Sequence, residues 1–378
     1  MDDFKKLLRS DLLMVFKNNY KNKNVLITGA TGFKGTWLSI WLQRLGANVI
    51  GYSLEPATDP SMFNICNLED KITNIIGDVR DYNFLLTQFQ KHKPDIVFHL
   101  AAQPLVRQSY KCPIETYETN IMGTVNLLEA AKNTDSVKSV VVVTTDKCYE
   151  NKEWPYGYRE NDSMGGYDPY SSSKGCVELI VSAYRNSFFN ERGIALSTAR
   201  AGNVIGGGDW AEDRLIPDFV RAVTEDKSIR IRNPYATRPW QHVLEPLSGY
   251  LWIGALMLDN REAYSSAWNF GPKDSDVLTV EDILKSAIDV WGKGTIEMDK
   301  GDNPHEANFL KLDISKANTY LKWRPVYTVN KALEYTIKWY EHYYVNGNKN
   351  IYEYTLRQIE NYEKEAKKQG LTWSEKND

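Results

Sequence analysis

Tyr170 and Lys174 stand four residues apart in the segment Gly166-Tyr167-Asp168-Pro169-Tyr170-Ser171-Ser172-Ser173-Lys174. On a helix that spacing puts both side chains on one face, where an ammonium near a phenol favours its ionised form. A tyrosine so placed can take a proton from a hydroxyl. In a chain with 23 tyrosines the pair can also arise by chance, so its meaning depends on what lies upstream. There, Asn24-Val25-Leu26-Ile27-Thr28-Gly29-Ala30-Thr31-Gly32-Phe33-Lys34-Gly35 reads as a strand, a tight turn and a helix start. Glycines three apart let the backbone bend sharply and approach a pyrophosphate, which the free amides and positive end of the next helix attract. Gly29, Thr31, Gly32, Phe33, Lys34 and Gly35 are therefore expected to cradle a dinucleotide. Both gaps are three residues, whereas the common fingerprint opens with glycines two apart. A glycine turn without ligand is the alternative. Cradle and tyrosine together indicate a redox enzyme.

The elements that must position these residues show as apolar runs with helical stretches between them: Val25–Thr28, Val49–Tyr52, Ile75–Val79, Ile96–Leu100, Val140–Thr144 and Leu196–Ala199. Continuous rather than alternating hydrophobicity marks strands buried on both faces. The fold class expected is α/β, a Rossmann-type doubly wound parallel sheet with a smaller C-terminal substrate-binding lobe. Ligands gather beyond the C-terminal ends of such strands. Asp78, Ala101-Ala102-Gln103 and Thr144-Thr145-Asp146-Lys147 stand there and outline one crevice. The expected organisation is a lead-in over 1–20, a nucleotide-binding domain over 21–202 with 243–270 returning to it, a lobe from 203–242 and 271–345, and a charged tail over 346–378. Residues 1–13 read as amphipathic, through Phe4, Leu7, Leu8 and Leu12. In the tail, Arg357, Glu360, Lys364 and Lys367 are expected on solvent faces.

With 46 basic and 49 acidic residues in 378, the net charge of −3 recommends neither nucleic acid nor an anionic membrane as partner. A small-molecule partner is expected. The sequence has no apolar stretch of membrane-spanning length and no signal-peptide core at Met1-Asp2-Asp3-Phe4-Lys5-Lys6, so a cytoplasmic location is expected. Cys66, Cys112, Cys148 and Cys176 are scattered, with no Cys-x-x-Cys or Cys/His cluster, and read as reduced thiols with no metal site.

Several blocks in order resemble the extended short-chain dehydrogenase/reductase family, and within it the nucleotide-sugar 4,6-dehydratases, most of all their CDP-glucose branch. They are Thr31-Gly32-Phe33-Lys34-Gly35, His99 to Arg107, Thr144 to Asn151, Ala199 to Trp210, and Arg238-Pro239-Trp240-Gln241-His242-Val243. The likeness runs from Met14 onward. It implies that Tyr170 takes the proton of the sugar's 4-hydroxyl as hydride passes from C4 to NAD, and that Lys174 anchors the nicotinamide ribose and lowers the tyrosine's pKa. Thr145 is implied to bind near O4, Asp146 to protonate the departing 6-hydroxyl and Lys147 to take the C5 proton. A lysine can do so only when neutral, for which burial and nearby Lys174 are the expected causes; the alternative is that Lys147 stabilises the enolate as a cation. The implied cofactor set also includes Asp78, Val79, Ala101, Ala102, Gln103 and Asn120. On the substrate side Gln103, Arg107, Asn203 and Arg238 are candidates, with Arg214 and His305 weaker ones. Ser53 replaces the usual acidic ribose ligand, and no arginine lies between 51 and 60, so NAD is favoured over NADP. A homodimer through the helices near Pro113–Lys132 and Tyr170–Arg192 is the family expectation. The rival readings are a nucleotide-sugar 4-epimerase, a dehydratase of another NDP-hexose and a non-catalytic nucleotide-binding regulator.

Overall fold

The computed structural model describes residues 15–375, apart from 232, 275, 277, 299–308, 346, 348 and 349. The lead-in at 1–13 and His305 lie outside the described residues. Seven strands form one parallel sheet: β1 (Asn24–Thr28), β2 (Asn48–Ser53), β3 (Thr73–Ile76), β4 (Ile96–His99), β5 (Ser139–Val143), β6 (Ala195–Arg200) and β7 (Ala267–Asn269). Their order is β7-β6-β5-β4-β1-β2-β3. The order of strand addition reverses between β1 and β4, which leaves a crevice beyond their C-terminal ends.

The central strands are largely apolar because both faces are covered, whereas the edge strand β3 is partly exposed. Val25, Ile27, Ile96, Phe98, Val141 and Val143 enter one core, while Leu26, Val97, Val140 and Val142 enter the other. The first core is closed by α1 (Phe33–Arg44) and α5 (Leu244–Asp259), and the second by α2 (Tyr82–His92), α3 (Gly123–Lys132) and α4 (Pro169–Tyr184). Helix α4 starts where its sequence dictates. Pro169 takes the first helical position, and the Asp168 carboxylate caps it by accepting from the Ser171 amide at 2.9 Å.

Beyond β6 the chain builds short pairs. Val204–Ile205 runs parallel to Gln241–His242, Ile229–Ile231 to Ile296–Met298, and Thr237–Arg238 lies antiparallel to Leu278–Thr279. The chain then forms α6 (Val329–Val345) and α7 (Ile351–Lys368). Helix α7 docks on α1: Trp41 Nε1 donates to Glu363 Oε1 at 2.8 Å, and Arg44 pairs with both Glu360 and Glu363. Arg357, Lys364 and Lys367 are exposed as expected, but Glu360 is held 2.8 Å from Arg44 rather than left to solvent. Val15, Phe16 and Tyr20 are buried, with the Phe16 ring stacked on Trp373 and Tyr20 donating to the Leu251 carbonyl at 2.5 Å.

Candidate active site

The glycine turn leaves β1 with no room for a side chain at Gly29 or Gly35. Gly29 adopts φ +75°, and a Cβ there would stand 2.8 Å from the Ala101 amide nitrogen. A Cβ on Gly35 would fall 2.0 Å from the Gly29 carbonyl oxygen, so the turn can close only on glycine. Gly32 caps α1 in extended conformation, and this residue's side chain would meet only the Gly29 oxygen, at 3.4 Å. The loop is pinned to β2, where the Thr31 amide donates to Ser53 Oγ at 3.3 Å and the Thr31 hydroxyl to the Leu54 carbonyl at 2.9 Å. This cradle, packed against the Ala101 backbone at the end of β4, fits a pyrophosphate at a helix N-terminus.

Strand β3 ends at Ile76, earlier than the run to Val79 suggests, so Asp78 and Val79 lie in the loop beyond it. Asp78 is paired with Arg80 at 2.6 Å, and its carbonyl accepts from Tyr52 at 2.9 Å. Asn120 is buried: its Oδ1 accepts from the Gln103 amide at 2.8 Å and its Nδ2 donates to Ser173 at 2.8 Å. It therefore ties the loop after β4 to α4. The Gln103 side chain is engaged within the protein, donating to Thr116 of the helix Pro113–Tyr117 at 2.9 Å and accepting from the Leu105 amide at 2.6 Å. Ala102 is half-buried beside it.

At the end of β5, Thr145 and Asp146 are buried, and the Thr145 hydroxyl donates to Asp146 Oδ1 at 2.9 Å. Asp146 Oδ2 is buried with no hydrogen-bond partner among the described residues. Gly202 makes room for that carboxylate, since a Cβ there would lie 2.0 Å from Oδ2. The Tyr170 phenol meets the Thr145 hydroxyl from α4. Burial pushes this phenol up to about 12, while the Thr145 hydrogen bond, and then the Arg214 charge, pull it down. Phenol, hydroxyl and unpartnered carboxyl thus converge, a set able to move protons at neighbouring atoms of one ligand.

The two lysines sit in different settings. Lys174 is buried and donates to the Val143 carbonyl at 3.2 Å; burial lowers it to about 8, against the pull of Glu178. Thr145 and Arg214 favour the ionised form of Tyr170. Lys147 is exposed, not buried as the sequence reading expected.

Behind the site lies a network with no local signal in the sequence. Glu178, one turn beyond Lys174 on α4, pairs with Arg200 of β6 at 2.7 Å with both side chains 4% exposed. It also accepts from Thr144 at 2.5 Å and Thr198 at 2.7 Å. Burial would raise its carboxyl, but Arg200 and the two hydroxyls hold it below the usual range. Arg200 further donates to the Tyr149 hydroxyl at 2.6 Å.

On the far side, Arg214 donates to Asp209 at 3.1 Å and Arg107 to Asp213 at 3.1 Å. Arg238 donates to the Thr237 carbonyl at 3.0 Å on its short strand. Asn203 takes a left-handed φ of +49°, next to the glycine that faces Asp146. Arg214, a weak candidate by sequence, is the one whose charge reaches Tyr170, and its partner Asp209 was not foreseen.

A family model described as GDP-mannose 4,6 dehydratase matches residues 26–336. A CDP-glucose 4,6-dehydratase of Salmonella typhimurium is 53% identical over 334 residues, covering 87% of this chain and 93% of that protein. A UDP-glucuronate 4-epimerase of Arabidopsis thaliana is 27% identical, covering 86% of this chain and 77% of its own. Among solved structures, the dTDP-glucose 4,6-dehydratase of Bacillus anthracis in complex with NAD superposes with a TM-score of 0.71 at 22% identity, over 85% of this chain and 98% of that one. With a glycine cradle at β1, an acid and a tyrosine at the end of β5, and a family match over most of its length, the chain belongs to the GDP-mannose 4,6-dehydratase family of nucleotide-sugar enzymes.

Proposed function

We propose that this chain is an NDP-hexose 4,6-dehydratase that converts CDP-glucose to CDP-4-keto-6-deoxyglucose and water. The observation that carries the reading is the convergence of Tyr170, Thr145 and the unpartnered Asp146 carboxyl at one strand end. The likeness to the Salmonella enzyme supports cytosine as the base.

Tyr170 takes the O4 proton, with Thr145 holding the oxygen where charge develops. NAD in the cradle would accept the C4 hydride and return it to C6. The C4 carbonyl acidifies C5–H, whose proton passes to Lys147 as a neutral amine, or to water on the open side of the site while Lys147 steadies the enolate as a cation. Asp146 gives its proton to the 6-hydroxyl as water leaves, and C5 is reprotonated as the hydride reaches C6. Lys174 positions the ribose, and Arg107, Arg214, Arg238 and Asn203 contact the diphosphate and sugar. An epimerase has no use for an acid at O6, which is what Asp146 would be.

A homodimer fits the surface. Ile114, Met122, Leu179 and Phe188, on the two helical stretches near Pro113–Lys132 and Tyr170–Arg192, are large apolar residues left exposed, with Ile114 at 73% and Leu179 at 62%. Leu179→Glu is expected to convert dimer to monomer in light scattering. No helix among the described residues is long and apolar enough to cross a membrane.

The direct test incubates the protein with NAD and CDP-glucose and follows the alkali-induced absorbance of a 4-keto-6-deoxy sugar, with deoxythymidine, uridine and guanosine diphosphate hexoses in parallel. Product from another nucleotide would overturn the substrate; no keto sugar from any would overturn the dehydratase. Lys147→Ala is expected to spare the first hydride transfer and stall elimination. Normal turnover in that variant would remove Lys147 from the mechanism.

A further inference from the structure

A cavity of about 300 Å³ lies at the β7 edge of the sheet, and Thr145, Asp146 and Tyr170 take no part in its wall. Arg200 of β6, Arg185 just beyond α4 and Lys316 bring three cations to it, and Glu178 and Glu160 bring two carboxylates. Ser182 and Ser266 add hydroxyls. Glu178 is paired with Arg200 at 2.7 Å, which leaves Arg185 and Lys316 facing Glu160 alone.

The donors of these cations are not used up. Arg200 is 3% exposed, and its terminal nitrogens reach Glu178, the Tyr149 hydroxyl and the Glu160 carbonyl. Its Nε is buried with no hydrogen-bond partner among the described residues. Arg185 donates through Nε to the Leu196 carbonyl at 2.7 Å, while its two terminal nitrogens have no partner among the described residues. The Lys316 ammonium donates to Ser266 at 2.7 Å and to the Ala267 carbonyl at 2.8 Å, with one N–H left over. Glu160 accepts from the Asn269 amide at 2.9 Å. Burial raises the Glu160 carboxyl and lowers Arg185 and Lys316, so each is displaced toward its neutral form. An anion lodged between the cations would reverse the two cationic shifts.

We propose that this cavity binds a phosphoryl dianion, free or as the monoester of a small polyol, held by Arg185, Lys316 and the Arg200 Nε. A buried donor without an acceptor is costly, and an oxyanion supplies acceptors. Two guanidinium groups and an ammonium match the outer oxygens of a phosphoryl group, whereas a monocarboxylate engages only part of the set. The site is separate from the diphosphate contacts proposed for the sugar nucleotide, and the inference holds whichever nucleotide the crevice takes. Its occupant abuts Glu178, which also accepts from Thr144 next to Thr145. The ligand thus adjoins the scaffold of the active site, not its reacting atoms.

The test is titration calorimetry of the full chain with inorganic phosphate, glycerol phosphate and acetate at matched ionic strength, with NAD and CDP present at saturation to fill the crevice. The native protein is expected to bind one dianion per chain and no acetate, and the tighter of the two dianions names the natural form. Arg185→Gln and Lys316→Gln should each weaken binding about tenfold, as loss of a charge-assisted hydrogen bond does. Glu160→Gln removes the opposing carboxylate and should tighten binding about threefold. Opposite signs in variants of one cavity cannot come from misfolding. Native protein that takes up neither dianion, or that binds acetate as well as phosphate, would overturn the proposal. Phosphate affinity unchanged in all three variants would mean an adventitious ion only, and would overturn it too.

Discussion

The glycine turn after β1 and the strand end after β5 face each other across one crevice, yet they are built by opposite means. The turn is shaped chiefly by backbone: Gly29 and Gly35 are required because a single carbon would collide. The strand end is all side chain. Thr145, Asp146 and Tyr170 are placed by a buried pair, Glu178 and Arg200, that bolts α4 to β5 and β6 through Thr144 and Thr198. A polyanion needs amides at fixed spacing, which backbone supplies, whereas proton transfer needs groups whose charge the surroundings tune. The two halves should therefore fail differently when broken.

The largest effect is expected from Tyr170→Phe. Removing the phenol that meets Thr145 should cut kcat by about a thousandfold, within the usual range for a general base, and leave dinucleotide affinity unchanged in a binding titration. Glu178→Ala strands the Arg200 guanidinium in the core and should cost about 3–5 kcal/mol in denaturant unfolding, as loss of one buried partner generally does. Glu178→Gln, which keeps the shape, should lose less. Gly35→Ala attacks the other half: its Cβ forces the Gly29 carbonyl aside, so NAD affinity should fall about tenfold or more, with little change in the hydride step at saturating NAD. The smallest effect is a shift in pH profile. Arg214 helps draw the Tyr170 proton off, so Arg214→Ala should raise the phenol further and move the ascending limb of kcat/KM to higher pH. A limb that stays put would detach Arg214 from Tyr170.

Much of the backbone-built half was legible because its rules are local. Continuous apolar runs gave six of seven sheet strands within a few residues, and three-residue glycine spacing gave the turn. The seventh strand, Ala267–Asn269, has only three residues and follows polar ones, so no run marks it. The side-chain half was legible where resemblance named its residues, but its electrostatics were not. Glu178 and Arg200 are 22 residues apart, and a glutamate on a helix reads as solvent-facing until the strands beside it are known. The same lack of long-range information put Lys147 inside when it is exposed, and left Arg214 with little weight although its charge reaches Tyr170.

Helix α1 is gripped along its whole length. The Phe33 ring packs at Gly206, Trp37 donates to the Gly207 carbonyl at 2.9 Å, and Trp41 and Arg44 are anchored to α7. The loop that carries Gly202, Asn203 and Asp209 is therefore fastened to the same spindle as the dinucleotide cradle. A displacement of that loop is thereby passed to the cradle through Phe33 and Trp37. The distant C-terminal helix, by holding Trp41 and Arg44, is what keeps the axle straight.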